Sequence, residues 1–276
     1  HWYANFGYYA EGPQRVTYAD GTKLLKYNPA SGECIALVED AGGGVRDPQV
    51  SYDGKTILFS YRKGGSCNYN LYEIGVDGSG LRQLTDGPFD DIEPTYLPDG
   101  GIMFVSSRCK RWVNCWLTQV AVLYRCDADG TNIRQVSGNI EHDNTPWPLA
   151  DGRILYQRWE YVDRSQVHYH HLWAMNPDGT GQMPYYGNLN PGILMIDAKP
   201  IPGTDSIVSL FSPGHGQREH AGQMAIVNPK LGPDAPEAVR FLNDAKDFRD
   251  PYPLSEDRFL VARGHRVLLM NGAGEV

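Results

Sequence analysis

Two cysteines stand out because they share a short segment with cations and tryptophans. The segment CKRWVNCW places Cys109 and Cys115 on either side of five residues. This spacing allows a disulfide in an oxidising compartment. The neighbouring cations instead favour thiolates, which could bind a metal or contact a cofactor. A third alternative leaves both thiols free and the tryptophans bracing the loop, and the sequence keeps all three open.

A histidine and a carboxylate follow in the segment EHDN. One thiolate together with His142 would be a sulfur and nitrogen pair of the kind that zinc accepts, and Asp143 adds a carboxylate. We therefore take Cys115, His142 and Asp143 as candidate metal ligands. Cys109 and Cys115 are the candidate cofactor contacts.

A third chemical pattern lies in RWEYVDRSQVHYHH. It contains a cation, a phenol and imidazoles, namely Arg158, Tyr161, His168 and His170. Lyases that work by β-elimination use such a set, in which the cation neutralises a carboxylate and Tyr or His removes a proton. His168 and His170 would share one face of a strand, so they could instead hold a metal or simply face solvent.

A glycine-flanked loop supplies the secondary metal candidates. The segment GHGQREH contains His215 and His220, and its glycines allow close approach of the backbone to a ligand. The alternative for this segment is a flexible polar loop.

The elements that must position these residues form an internal repeat. Five segments align, RDPQVSYDGKTILFSYR, IEPTYLPDGGIMFVSSR, NTPWPLADGRILYQRW, DAKPIPGTDSIVSLFS and RDPYPLSEDRFLVAR. Each repeat is predicted to have four strands, a to d, with strand a after the proline and Asp-Gly turns joining a to b and c to d. The anchor prolines, spaced by 46 to 54 residues, are Pro48, Pro94, Pro146, Pro200 and Pro251.

Four strands recurring at this period predict an all-β fold, a β-propeller with four-stranded blades. We count six blades, of which the N-terminal one supplies strands b to d and the last one strands a to c. A seventh blade would have to lie outside this chain. We expect residues 1–276 to form one propeller domain, with residues 1–14 as an N-terminal segment that does not follow the repeat.

The loops b–c and d–a are predicted to leave one face of the propeller, opposite the short Asp-Gly turns. All the candidate residues above lie on or beside these loops. Acidic residues also recur before strand a, as Asp47, Glu93 and Asp250. We expect these three to be structural, accepting hydrogen bonds from backbone amides in a tight d–a turn.

Composition narrows the class of protein. The 276 residues are 41% apolar and 21% charged, which is typical of a soluble globular chain. The net charge of −8 disfavours nucleic acid as a partner, and no apolar run approaches the length of a membrane span. The chain begins with His1 rather than Met, so we expect it to be part of a longer protein.

The combined motifs resemble the middle domain of hydrazine synthase α-subunit-like proteins, and the blades resemble TolB-type propeller repeats. Nearly the whole chain carries the resemblance, most clearly DIEPTYLPDGGIMFVSSRCKRWVNCW, EHDNTPWPLADGRILYQRWEYVDRSQVHYHHLW and FSPGHGQREHAG. It implies a six-bladed propeller in an extracytoplasmic multihaem enzyme, with a haem and a nearby zinc served partly by this domain. It would place those roles on Cys109 or Cys115 and on His142. The sequence has no C-x-x-C-H motif, so haem would have to come from another domain or subunit.

We therefore expect a periplasmic or secreted, redox-linked propeller whose loop-bearing face binds a flanking cytochrome-type domain, another subunit or a ligand. The chain has no complete catalytic motif, so the sequence leaves open whether it is part of an oxidoreductase. One alternative is a glycan-active propeller, a polysaccharide lyase or carbohydrate binder that uses Arg158, Tyr161, His168 and His170. A second alternative is a non-catalytic scaffold for protein interactions.

Overall fold

The computed structural model describes residues 20–115, 118–214 and 221–276. Strands supply almost all regular structure in these ranges, and the helices are single 3-10 turns such as Pro229–Leu231. No helix of the described ranges is both long and apolar enough to cross a membrane. The predicted N-terminal segment 1–14 and the candidates His215 and His220 lie outside the described residues.

The described chain forms two compact units, one ending at Gln135 and the other spanning Val136–Val276. In the first unit, a two-stranded sheet precedes two four-stranded antiparallel sheets, each with its strands in chain order. The prediction that residues 1–276 form one propeller domain stays a prediction. The strands of this unit are β1 Lys23–Tyr27, β2 Cys34–Glu39, β3 Gly44–Val50, β4 Thr56–Arg62, β5 Asn70–Gly75, β6 Arg82–Gln83, β7 Asp91–Tyr96, β8 Ile102–Ser106, β9 Val122–Cys126 and β10 Arg134–Gln135.

The second unit continues the same repeat. Two sets of four antiparallel strands are followed by a three-stranded sheet, β19-β20-β21. The first two sets are joined into one sheet by a short parallel pairing, His170 with Leu194 and Tyr169 with Ile193. The strands are β11 Asp143–Pro148, β12 Ile154–Trp159, β13 Tyr169–Met175, β14 Met183–Tyr186, β15 Ile193–Pro200, β16 Ile207–Ser212, β17 Gln223–Val227, β18 Val239–Phe241, β19 Phe248–Ser255, β20 Arg258–Arg263 and β21 Arg266–Asn271.

The predicted Asp-Gly turns are present at the expected places. Asp53-Gly54 joins β3 to β4, and Asp77-Gly78 joins β5 to β6. The glycine of each turn has a positive φ, which a glycine adopts without steric cost. The second strands, β4, β8, β12 and β16, are buried along almost their whole length rather than on alternate residues. Each therefore has packing on both of its faces.

The prediction that strand a follows the proline is wrong. In four of the five repeats the first strand begins before the proline and contains a β-bulge at the proline, as the register of β3 shows by shifting between Arg46 and Gln49. The bulge residue has a left-handed backbone, with φ of 55° at Asp47 and 47° at Asp250. A residue that precedes proline is kept out of the right-handed helical region, and Asp tolerates the left-handed one.

Two further details of the prediction change with this bulge. Asp47, Glu93 and Asp250 lie inside strand a rather than in a tight d–a turn. Asp47 does accept a backbone hydrogen bond, from the N–H of Glu93 in the next repeat at 3.1 Å. In the fourth repeat the bulge residue is Asp197, so Ala198 takes the place of the proline and Pro200 lies two residues later.

Candidate functional site

A buried ion pair lies at the start of the third repeat. Asp143 and Arg158 are opposite each other in the β11–β12 register, and Nε and Nη2 of Arg158 donate to the two carboxylate oxygens at 2.8 and 3.0 Å. Arg158 also donates to Gln182 and lies over the ring of Trp173. Burial pulls the pKa of Arg158 down, but the carboxylate of Asp143 outweighs it, so the guanidinium stays charged. The charges of Arg158 and Asp143 thus neutralise each other within the pair.

Next to this pair, four rings form a cluster that we term the Trp159 cluster: His142, Trp159, Tyr161 and His170. Trp159 is stacked on His170, with ring centroids 5.2 Å apart and an angle of 18°. His142 lies at 5.8 Å and Tyr161 at 5.9 Å from the same indole. Trp159, His142 and His170 are buried, whereas Tyr161 is partly exposed. The cluster therefore reaches the surface through Tyr161.

Backbone and indole hydrogen bonds fix the cluster in place. The N–H of Trp159 donates to the carbonyl of His142 at 3.0 Å. The indole Nε1 of Trp159 donates to the carbonyl of Gln166 at 2.9 Å, and this hydrogen bond holds the β12–β13 loop against the indole. His142 thus belongs to a packed aromatic group, which sequence alternation alone could not show.

The three neighbouring histidines of HYHH meet different environments. His168 is exposed and precedes β13, while His170 is buried against Trp159. The structure therefore does not bring His168 and His170 into one environment. His171 is fully buried, and its Nε2 accepts a hydrogen bond from Trp173 at 2.9 Å. Burial, with Arg164 and Arg158 nearby, lowers the pKa of His171 to about 3.

Three loops of the second unit form a surface that we term the loop platform: residues 138–142, 160–168 and 187–192. Arg164 joins two of them by donating to the carbonyl of Asn188 at 2.7 Å and to Glu160. The N–H of Gly192 donates to the carbonyl of His168 at 2.8 Å. Asn139 ties the third loop to the carbonyl of Trp159 at 3.0 Å. The loops are thus held by hydrogen bonds to one another and to the strands.

Apolar side chains project from the loop platform into solvent. Ile140, Val162 and Leu189, one from each loop, are 48%, 44% and 67% exposed. Each of the three loops therefore contributes one exposed apolar side chain. The loop platform thus presents three exposed apolar side chains.

The cysteine loop lies in the first unit. Cys109 ends a 3-10 turn, and its thiol donates to the carbonyl of Val120 at 3.2 Å. Arg108 donates two hydrogen bonds to the carboxylate of Asp91, at 3.1 and 2.7 Å, and lies over the ring of Phe89. Cys115 is exposed, and both thiols are free, so the disulfide alternative is not formed in this structure. Trp116 of the same segment lies outside the described residues.

The candidate metal ligands do not form a metal site among the described residues. Within those ranges no group of three or more His, Cys, Asp and Glu side chains could hold an ion. Asp143 has both oxygens committed to Arg158. A metal on these candidates would need ligands from elsewhere, and the assignment stays a prediction.

The repeated four-stranded sheets define an all-β protein of the propeller-like class, and solved structures confirm this class. The chain matches the structure of hydrazine synthase from Kuenenia stuttgartiensis with a TM-score of 0.80 and 22% identity, over 93% of this chain and 41% of that one. A structure assigned as TolB from Agrobacterium tumefaciens matches with a TM-score of 0.65 and 14% identity, over 93% of this chain and 87% of that one. At these identities the likeness shows the fold alone, and the count of six blades stays a prediction.

Among curated proteins, the chain is similar to hydrazine synthase subunit alpha from Kuenenia stuttgartiensis. The two are 27% identical over 311 aligned residues, which cover 90% of this chain and 37% of the relative. This similarity confirms the resemblance drawn from the motifs. No family model matches the chain. The chain spans less than half the length of the hydrazine synthase proteins that it matches.

Sequence reasoning named His142, Tyr161 and His170 but missed Trp159, the ring around which they group. It paired His168 with His170, whereas the structure pairs His170 with Trp159. It also missed the Asp143–Arg158 pair, although a signal existed. Asp91 and Asp143 recur at the start of strand a, and Arg108 and Arg158 recur at the end of strand b.

Proposed function

We propose that this chain is the propeller of a redox-linked, extracytoplasmic protein similar to hydrazine synthase subunit alpha. In this proposal its loop-bearing end docks a haem-bearing or metal-bearing domain or subunit. The observation that carries the proposal is the similarity along 90% of the chain to a protein named as a subunit of hydrazine synthase. That relative is much longer than this chain, so a propeller of this kind can form part of a larger protein.

The loop platform supports docking as the role of this end. Its exposed side chains Ile140, Val162 and Leu189 are held by Arg164 and Asn139, so a partner would meet a pre-organised surface. An interface binds more tightly when its apolar anchors lie on loops that are already ordered, because binding then costs less conformational entropy. By contrast, a catalytic site would need an uncommitted acid, base or nucleophile, and the pair Asp143–Arg158 does not supply one.

The cysteine loop of the first unit supports a contact with a cofactor-bearing partner. Trp112 and Cys115 are both exposed on this loop. The ion pair between Arg108 and Asp91 anchors the base of the loop in the sheet. An exposed thiol and an exposed indole beside cations suit the edge of an aromatic cofactor held by another chain. Zinc on Cys115 and His142 stays a separate prediction, on which docking does not depend.

The glycan-active alternative has less support from the geometry. It requires Arg158 to neutralise the carboxylate of an acidic sugar. Arg158 is buried and already neutralises Asp143 through two hydrogen bonds. Exchanging that partner for a substrate would leave the buried charge of Asp143 unpaired, at a cost of about 3–5 kcal/mol.

The proposal is tested on the full-length protein purified from periplasmic extract of its source organism. Haem carried by a separate chain that co-purifies with the protein is quantified by its absorption spectrum after the chains are separated. The substitutions Val162→Asp and Leu189→Asp place two charges on the loop platform, and we expect them to reduce co-purifying haem at least tenfold. A desolvated charge in an interface costs enough free energy to produce this loss.

The matched control carries the same change at the other end of the sheets. Leu231 and Leu254 are exposed to a similar degree as Val162, and Leu231 lies in the β17–β18 connection. We expect Leu231→Asp with Leu254→Asp to leave the haem content unchanged. Unchanged haem content in the variant with Val162→Asp and Leu189→Asp, or equal loss in both variants, would contradict docking through the loop platform.

A further inference from the structure

Three first strands of the second unit carry a large side chain at the same position. Trp147 in β11, Lys199 in β15 and Tyr252 in β19 each lie two residues after a left-handed bulge residue. Each is opposite a residue of the second strand of its repeat, namely Leu155, Val208 and Leu260. The three positions are therefore equivalent, and they lie toward the end of the strands opposite the loop platform.

These three side chains meet although they come from three repeats. The ring centroids of Trp147 and Tyr252 are 6.2 Å apart, and the ring planes are at 78°. The ammonium of Lys199 lies 5.2 Å from the centroid of the same indole. We term Trp147, Lys199 and Tyr252 the Trp147 corner. It combines two rings set at an angle with a cation held over one of them.

The polar groups of the Trp147 corner are open to a ligand. Within the described ranges, the ammonium of Lys199 has no carboxylate at ion-pair distance, and its one hydrogen bond goes to the carbonyl of Asp197 at 3.5 Å. The indole N–H of Trp147 and the hydroxyl of Tyr252 have no acceptor in the same part of the chain. Tyr252 is exposed, and the other two residues are partly exposed. Three donors thus share one accessible surface.

The fold does not require this group, because the first unit fills the same position differently. Gln49 in β3 and Thr95 in β7 also lie two residues after the bulge residue, opposite the second strand. The amide of Gln49 donates to the hydroxyl of Thr95 at 2.8 Å and accepts the N–H of Tyr96. There the polar groups satisfy one another, whereas those of the Trp147 corner do not.

The sequence also stiffens the backbone at the Trp147 corner. A proline follows each of its residues, at Pro148, Pro200 and Pro253, whereas Val50 and Tyr96 follow Gln49 and Thr95. Proline has a fixed φ and keeps the preceding residue extended. A ligand would therefore meet side chains on ordered backbone, which lowers the entropic cost of binding.

We propose that the Trp147 corner binds a small organic carboxylate that has a flat apolar face. The carboxylate accepts hydrogen bonds from the ammonium of Lys199 and from a neighbouring donor, Trp147 or Tyr252. The flat face packs against the aromatic rings. Aromatic walls with a few polar groups are typical of sites for small ligands. This site is separate from the loop platform, so it does not depend on the docking of a partner there.

Benzoate is the probe, because it joins one carboxylate to one flat ring. Its binding to the full-length protein is measured by a saturation-transfer NMR titration. Benzamide keeps the shape without the charge, and acetate keeps the charge without the ring. We expect each of these two to bind at least about fivefold more weakly than benzoate. Benzoate that does not bind at millimolar concentrations, or that binds no more tightly than benzamide or acetate, would overturn the proposal.

Substitutions then locate the binding. Lys199→Met removes the charge and should weaken benzoate binding at least about tenfold, and Tyr252→Ala removes an exposed ring and should weaken it about threefold. The control is Arg153→Met, since Arg153 also lies 6.0 Å from a ring centroid, that of Tyr185, but is paired with Asp151 at 2.7 Å. We expect the control to bind benzoate as the wild type does. Unchanged affinity in both Lys199→Met and Tyr252→Ala, or an equal loss in the control, would overturn the proposal.

Discussion

Arg158 holds both carboxylate oxygens of Asp143 in a buried, two-pronged ion pair across the first two strands of the third repeat. Arg108 holds Asp91 in the same way in the second repeat. The pair thus recurs in two of the five repeats, whereas the other three have Val45, Met195 and Phe248 at the position of the aspartate. It fixes the end of the strand pair from which the long loops leave.

Removal of one partner of this pair should strongly destabilise the protein. We expect Asp143→Asn to lower the free energy of unfolding by about 3–5 kcal/mol, because the buried guanidinium of Arg158 would lose its counter-charge. Urea denaturation followed by circular dichroism measures the change. The control is Lys230→Met, which breaks the exposed pair with Asp205 and should cost less than about 1 kcal/mol. Similar losses in the two variants would show that the buried pair has no special role.

His171 should make stability depend on pH. Its pKa in the folded protein is lowered to about 3 from an ordinary 6.5, so below pH 6.5 the unfolded chain binds a proton that the folded one does not. Stability from this group is therefore full above pH 6.5 and falls as the pH drops toward 3, by up to about 1.4 kcal/mol per pH unit.

The change His171→Gln isolates this effect. The free energy of unfolding of the variant should fall less steeply than that of the wild type between pH 6.5 and 4.5. The exposed neighbour provides the control, since His168→Gln should keep the wild-type slope. If His171→Gln leaves the slope unchanged, the imidazole is not held neutral by burial.

The cysteines should differ in reactivity according to their exposure. Cys34, Cys67 and Cys115 are exposed and should react with a thiol reagent within minutes in the native protein. Cys126 is buried, and burial raises the pKa of its thiol to about 12, so it should react only after unfolding. Mass spectrometry after timed alkylation assigns each site. Protection of Cys109 and Cys115 that a reductant removes would instead indicate the disulfide.

The left-handed residue of the β-bulge should tolerate Asn better than Ala. Asp47 has φ of 55° and accepts the N–H of Glu93, which links two repeats. Asp47→Ala loses both the acceptor and the side chain that tolerates this backbone, at a cost of about 1–3 kcal/mol. Asp47→Asn retains both features and should cost less. Denaturation midpoints that rank the two variants in the opposite order would contradict this account.

The repeat itself could be predicted from the sequence because its turns have a local chemical signature. Asp53-Gly54 and Asp77-Gly78 are tight-turn sequences wherever they occur, and their spacing gives the strand pattern. The bulge at Asp47 could not be predicted, because its left-handed backbone depends on pairing with β4. The anchor in the fourth repeat was misplaced at Pro200 for the same reason, since proline marks the bulge in most repeats but not in that one.

The candidate site was predicted less completely than the fold. The sequence placed His168 and His170 on one face of a strand, but β13 begins only at Tyr169, after His168. The stacking of His170 on Trp159 depends on the register of β12 and β13, whereas Trp173 donates its hydrogen bond to His171 within β13. The commitment of Asp143 to Arg158, rather than to a metal, likewise depends on cross-strand pairing between residues 15 apart in sequence.

The central claim is that the loop platform docks a cofactor-bearing partner, and hydrogen–deuterium exchange on the full-length protein tests it most directly. Exchange is compared before and after assembly with the haem-bearing chain that co-purifies. We predict slower exchange at residues 138–142, 160–168 and 187–192 and unchanged exchange in the turns at 51–55 and 228–232. Protection confined to those turns, or no protection at the loop platform, would contradict the claim.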